Sequence, residues 1–214
     1  MDLQISGKRA VVLGASRGLG QAIAKSLAAE GVTVFAAARS VDKIEAWSAD
    51  MDNVHAVQLD LVDLAQVDVT VNREDWVSHF EAMAANLFHM TNRLLPNMKE
   101  RGWGRIISIT SSGVEQPIPN LALSNGIRSA VVGWSKTLAN EVAGDGITVN
   151  VVMPGRIHTE RVDELDAAAS KRTDTPVAEV AKKSRATIPA GRYGKPEEFA
   201  DVVTFLASER ASYV

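Results

Sequence analysis

The chain has 214 residues, of which 46% are hydrophobic and 23% charged, with a net charge of −3 and no cysteine. That content supports one globular domain with a full core and excludes a disulfide framework, a cysteine-based metal site and a cysteine nucleophile. The slightly acidic balance gives no basis for nucleic-acid or acidic-membrane partners, no apolar run is long enough for a bilayer, and the polar start from Met1 to Lys8 is not a signal peptide, so a cytoplasmic setting is expected.

Ala10 to Leu13 is an apolar run, predicted as a buried parallel strand. It runs into Gly14, Ala15, Ser16, Arg17, Gly18, Leu19 and Gly20, after which Ile23, Leu27 and Ala28 repeat at helical spacing. Strand, glycine-rich turn and helix together form the context of a dinucleotide phosphate loop. In that reading Gly14 makes the turn, Gly18 lets backbone approach a pyrophosphate, and Gly20 lets the helix pack closely. The bland reading is an ordinary strand-to-helix turn, because the spacing is G-x-x-x-G-x-G rather than the commoner G-x-G-x-x-G.

A second buried strand is predicted over 32–37, followed by Ala38 and Arg39. An acidic residue at this place selects NAD, whereas an arginine accommodates the 2′-phosphate of NADP. Arg39, with Arg17 as a second cation, therefore points to NADP(H); the plain alternative is two solvated arginines. A short helix over 42–49 leads to a third strand over 54–59. Asp60 and Leu61 then stand at the carboxyl end, where open α/β sheets bind ligands, although Asp60 serves equally well as a cap for the next turn.

Residues 67–71 read as a fourth strand, yet too few residues separate it from the third for a parallel crossover. Directly after Asn72 the pattern turns helical with no connecting loop. Segments are therefore expected to be missing near 66/67, near 72/73 and after 214. A long helix follows over 73–101, with Trp76, Phe80, Met83, Leu87 and Met90 on one face. Then come a fifth strand over 105–109, a loop with Pro117 and Pro119, a helix over 121–143 and a sixth strand over 147–152. The polar, alanine-rich stretch 161–184 is predicted as the helical part of a mobile lid around 156–190. Pro196 opens a last helix through Ala207. Strands alternating with helices define a single α/β domain: a doubly wound parallel sheet with helices on both faces.

This order, with GASRGLG at 14–20, LDL at 59–61, VN at 71–72, GRIISITSS at 104–112, ITVNVVMPG at 147–155 and GRYGKPEEFA at 191–200, resembles the short-chain dehydrogenase/reductase family. Within it, the likeness is to bacterial 3-oxoacyl-carrier-protein reductase-like members. The resemblance implies that the glycine loop and Arg39 hold the adenosine half of NADP(H), that Asp60 and Leu61 flank the adenine, and that Asn72 lies near the ribose. Pro154, Gly155, Ile157 and Thr159 would hold the nicotinamide end. It also implies a homodimer or homotetramer, paired through the helices at 73–101 and 121–143.

The catalytic pattern departs from the family. Members use a Ser, a Tyr thirteen residues on, a Lys four further, and an Asn on the preceding helix. Ser111 matches the Ser, but Ser124 and Arg128 stand at the Tyr and Lys positions and Met83 at the Asn position. Asn86, one turn on, is a possible substitute. A serine hydroxyl is a far weaker acid than a phenol, and Arg128 keeps a charge one turn away that can still bond the ribose hydroxyls but relays no proton. A water held by Ser111 and Ser124 would then bring the proton. The four histidines lack metal-ligand spacing and no metal is expected; His158, just after Pro154-Gly155, is the reserve proton donor, and Tyr193 reads as packing. Two functions fit: an NADP(H)-dependent oxidoreductase acting on a small carbonyl compound or secondary alcohol with altered acid chemistry, or a catalytically silent NADP(H)-binding sensor or assembly partner.

Overall fold

A computed structural model describes residues 2–60 and 72–214. The strand expected at 67–71, the first suspected junction near 66/67 and Leu61 lie outside the described residues. Contacts divide the described residues into two units. One draws on Met1–Ser6, Leu59–Pro154 and Phe205–Val214, and the other comprises Gly7–Gln58 and Gly155–Thr204.

The second of these contains the start of the chain's regular structure. Here β1 (Arg9–Leu13), α1 (Gly18–Ala29), β2 (Thr33–Ala38), α2 (Val41–Ser48) and β3 (Val54–Gln58) alternate without a break. β1 pairs with β2 and β2 with β3, both parallel. The apolar spacing of α1 buries Ile23, Ala24, Leu27 and Ala28, and the small side chains of β2 allow close cover, with Val34 and Ala36 fully buried. β1 is less buried than its apolar run predicts: among the described strands it pairs on one side only, and Val11 is 45% exposed. Later in the chain this unit gains α6 (Glu160–Thr173), α7 (Val177–Ala186) and α8 (Pro196–Leu206). The predicted lid is thus helical, as two helices.

The other unit is built from α3 (Arg73–Phe80), α4 (Asn86–Glu100), β4 (Gly104–Ile109), α5 (Ala122–Val142) and β5 (Ile147–Val152), with β4 and β5 parallel. Asn72 caps α3, its side-chain oxygen accepting the Asp75 N–H at 2.9 Å. The long helix predicted over 73–101 is interrupted: residues Glu81–Ala85 form a π turn. A π turn adds a residue to the helical repeat and so shifts the phase of everything after it. Trp76 and Phe80 are partly exposed, with Trp76 beside Gly126 and Phe80 edge-on to Phe88, while Met83, Leu87 and Phe88 pack against Ala84, Leu123, Ile127 and Val131. Ile106, Leu138, Val142 and Ile147 form a further core cluster, which ties α5 to the two strands.

All described strand pairs are parallel, and helices separate successive strands. This is the expected α/β Rossmann-type architecture.

Candidate functional site

The glycine loop is held by its neighbours rather than by its own side chains. The N–H groups of Gly14 and Ala15 both donate to the carbonyl of Ala37 on β2, at 2.8 and 3.1 Å. The Trp47 indole N–H on α2 donates to the Ala15 carbonyl at 3.2 Å. Gly14 turns the chain at φ +71°, a left-handed conformation that favours glycine. At Gly20 the constraint is space: a Cβ there would stand 2.3 Å from the Gly14 carbonyl oxygen. The first turn of α1 is therefore drawn onto the loop, and its unpaired N–H groups are the fold's means of meeting a phosphate. This close contact of helix on loop, which a Cβ at Gly20 would prevent, is the packing that a dinucleotide-binding turn requires.

Arg17 does not stand open to a phosphate. Its Nη1 donates to Glu160 Oε2 at 2.6 Å and to Glu164 Oε1 at 3.3 Å, both on α6. These bonds, to Glu160 first, raise the guanidinium's already high pKa further. Gly18 has the Thr159 methyl 3.6 Å from where its Cβ would be, an ordinary van der Waals distance. Arg17, expected to serve the 2′-phosphate, is bonded here to two exposed carboxylates, Glu160 and Glu164. Glu160 and Glu164 escaped the sequence reading. Their i, i+4 spacing at a helix start was the available signal, but nothing local names a partner more than 140 residues away. Arg39 is exposed directly after the last residue of β2.

In the same unit Ile157 bridges to Gly194 in parallel, and the His158 N–H donates to the Gly194 carbonyl at 2.8 Å. Tyr193 is more than packing. Its hydroxyl donates to Asp166 at 2.8 Å, a carboxylate only 4% exposed, and Arg185 lies over its ring. The His158 side chain is exposed and pairs with Asp163 at 3.1 Å. His158, Asp166, Arg185, Tyr193 and Lys195 are among the residues lining a cavity of about 360 Å³ beside α6 and α7.

The other unit holds the candidate catalytic residues. Ser111 follows β4 in extended conformation, and its Oγ accepts the Gly113 N–H at 3.1 Å. The Pro154 carbonyl accepts the Ser112 N–H at 3.3 Å, so the chain leaving β5 stays beside the chain leaving β4. Ser124 and Arg128 share a face of α5, and Arg128 Nε donates to Ser124 Oγ at 3.2 Å. Arg128 Nη1 donates to the carbonyls of Ile109 and Thr110 at 3.3 and 3.1 Å. This side chain fastens α5 to the end of β4, one residue before Ser111. Its burial lowers its pKa. Asn125, also missed from sequence, sets the room there: a Cβ on Gly113 would lie 2.5 Å from its Oδ1. Met83 packs in the core cluster. Asn86 makes no side-chain hydrogen bond among the described residues. Among these residues, too, no group of three His, Asp or Glu side chains is placed to hold a metal.

A glycine loop between a parallel strand and a helix, with serine and arginine at the end of another parallel strand, defines a nucleotide-binding α/β protein of the Rossmann class. Comparison with known proteins carries this further. Residues 8–76 match the family described as short chain dehydrogenase, and residues 69–214 match Enoyl-(Acyl carrier protein) reductase. The chain is 33% identical to the 3-oxoacyl-(acyl-carrier-protein) reductase of Escherichia coli (strain K12), over 99% of this chain and 94% of that one. It is 30% identical to the corresponding reductase of Aquifex aeolicus (strain VF5), over 100% and 95%, in an alignment of 248 positions. The crystal structure of L-sorbose reductase from Gluconobacter frateurii, complexed with NADPH and L-sorbose, superposes with a TM-score of 0.91 at 28% identity, covering 100% of this chain and 94% of that one. The chain belongs to the short-chain dehydrogenase/reductase family of oxidoreductases, with that family's doubly wound α/β fold.

Proposed function

We propose that this protein is an NADP(H)-dependent oxidoreductase that interconverts a carbonyl compound and its secondary alcohol, with acid chemistry unlike that of its relatives. The observation that carries the reading is the loop at Gly14–Gly20, where a Cβ on Gly20 would strike the Gly14 carbonyl. The relatives named above are reductases, and the solved L-sorbose reductase holds NADPH. The alternative of a catalytically silent NADP(H)-binding protein draws no support from them.

The glycine loop and the start of α1 bind the pyrophosphate, Arg39 bonds the 2′-phosphate, and Asp60 borders the adenine. Asn72, Pro154, Gly155, Ile157 and Thr159 serve the ribose and nicotinamide end. When bound, the cofactor supplies or accepts the hydride. Ser111 and Ser124 each have an oxygen that already accepts a bond, from Gly113 and Arg128 respectively. Both hydroxyl protons are thus left to donate, and both serve the carbonyl oxygen. Arg128 stabilises the negative charge that develops there. A water held by the two serines brings the proton that the family's tyrosine would supply. Loss of a positioned general acid costs about 10²–10⁴ in rate, so turnover of ordinary 3-oxoacyl thioesters is slow.

The Aquifex alignment spans more positions than this chain has residues, which supports the reading that stretches carried by that relative are absent here; we place them near 66/67 and 72/73. Assembly is as a homo-oligomer.

The test is a titration with NADPH and NADH, followed by turnover with a panel of ketones. NADPH binds more tightly, and Arg39→Asp weakens NADPH at least about tenfold while sparing NADH, because a charged hydrogen bond is worth about 1.5–3 kcal/mol. Equal affinity of the natural protein for both cofactors rejects the assignment of Arg39.

A further inference from the structure

Ala15 is fully buried in the glycine loop, so its backbone N–H and carbonyl both need partners from the protein. The N–H donates to the Ala37 carbonyl at 3.1 Å. The carbonyl accepts one bond among the described residues, and that bond does not come from the main chain. The Trp47 indole N–H supplies it, at 3.2 Å.

Trp47 is set for this by its helix. Ile44, three residues earlier on α2, is fully buried and fixes the helix face that Trp47 shares. Lys25 Nζ lies 5.5 Å from the centroid of the Trp47 ring, a cation over an aromatic face that steadies the indole.

The consequence lies across the same peptide bond. A peptide group is planar, and no cis peptide bond occurs among the described residues. The carbonyl of Ala15 and the N–H of Ser16 therefore point in opposite directions. With the carbonyl drawn to Trp47, the Ser16 N–H is turned away from the indole, and it bonds no described residue. A backbone N–H left open in a loop that leads into a helix is a donor suited to a phosphate oxygen.

From the bond between the Trp47 indole and the Ala15 carbonyl, we infer that Trp47 is a positioning residue for the cofactor: it orients the Ala15–Ser16 peptide so that the Ser16 N–H donates to a phosphate oxygen of NADP(H). This rests on the oxidoreductase reading and deepens it, by giving α2 a part in the cofactor site that neither the glycines nor Arg39 supply.

The experiment uses the full chain, with Trp47 alone replaced by benzothienylalanine. That side chain has the fused rings of tryptophan with sulfur in place of the N–H, so it keeps the packing and donates no bond. Trp47→Phe, which loses donor and volume together, is measured beside it. Circular dichroism and thermal melting establish that each variant is folded. The Kd for NADPH, read from the emission of NADPH itself, weakens about three- to tenfold in the benzothienyl variant, the range of one neutral hydrogen bond. In turnover of a ketone the loss appears in the KM for NADPH rather than in kcat. NADH is titrated in parallel. A loss shared by NADH upholds the inference and assigns the Ser16 N–H to the pyrophosphate; a loss confined to NADPH upholds it and assigns the N–H to the 2′-phosphate.

A benzothienyl variant that binds NADPH as the natural protein does overturns the inference and leaves the oxidoreductase reading intact; the indole then acts by packing alone. A fall in kcat with unchanged NADPH affinity also overturns it. If Trp47→Phe does not fold, the benzothienyl variant decides. A natural protein that binds neither cofactor and turns over no carbonyl compound overturns both.

Discussion

A single atom decides whether the glycine loop exists. Gly14 needs its left-handed φ, but Gly20 sits in ordinary helix and is constrained by contact: its missing Cβ would stand 2.3 Å from the Gly14 carbonyl oxygen and 2.8 Å from the carbonyl carbon. Both are backbone atoms, fixed by two hydrogen bonds to Ala37, so neither yields cheaply. Gly20→Ala therefore pushes α1 off the loop. We expect a loss of about 1–3 kcal/mol in stability, the usual cost of overpacking, together with loss of NADPH binding. Thermal unfolding and a fluorescence titration check the two effects separately; an alanine variant that binds NADPH normally would reject this account of the loop. Met83 shows the same logic in reverse. It packs against Ala84, Leu123, Ile127 and Val131, so Met83→Asn buries an amide among apolar side chains.

At the scale of elements, α8 starts on half of a capping box. Glu198 accepts the Lys195 backbone N–H at 2.7 Å, as the third residue of a helix does in a capping box, and also receives two bonds from Arg192 at 2.6 and 2.8 Å. The Arg192 bonds first, and the Lys195 N–H second, pull the Glu198 pKa from 4.5 down to about 2. A carboxyl with a depressed folded pKa adds stability that is fully present above its unfolded value and is lost as pH falls toward the folded one. The contribution of Glu198 is thus complete above about pH 4.5 and fades toward pH 2. Carbon-detected NMR titration places the midpoint near 2, and Arg192→Gln moves it up toward the ordinary range. An unchanged midpoint in that variant rejects Arg192 as the main cause.

Elements of this kind were legible in the sequence where the cue was local. Pro196 marked the start of α8, and the apolar run 10–13 followed by three glycines marked β1, the loop and α1. The π turn at Glu81–Ala85 was not legible, because Trp76, Phe80, Met83, Leu87 and Met90 fit an uninterrupted helical period. The partners of Arg17 and Tyr193 were hidden for another reason. Glu160, Glu164 and Asp166 reach them only once the chain has folded, and a side-chain pairing across such a separation leaves no periodicity to read. In the site the count from Ser111 placed Ser124 and Arg128 together, as the structure does, but the bonds from Arg128 to the carbonyls of Ile109 and Thr110 emerged only from the geometry.

For the whole molecule, the remaining prediction is assembly. The unit containing α3, α4 and α5 leaves Trp76, Val77, Phe80 and Leu94 exposed, along with Ile118 and Leu121 just before α5. Single exposed apolar residues are normal on a protein surface, whereas a group on neighbouring helices of one unit is what an interface uses. The family resemblance assigns these helices to two-fold contacts, and a two-fold contact sets each residue against a copy of the same surface. One substitution is then felt twice in every dimer. Val77→Glu and Leu94→Glu each place a pair of like charges at or near the axis, at a cost that rises as water leaves the interface. Sedimentation velocity at micromolar concentration should show a dimer or tetramer for the natural protein and a shift toward monomer for the double variant, with the helical circular dichroism unchanged. A natural protein that sediments only as a monomer would reject the assignment, and these side chains would then be ordinary exposed surface.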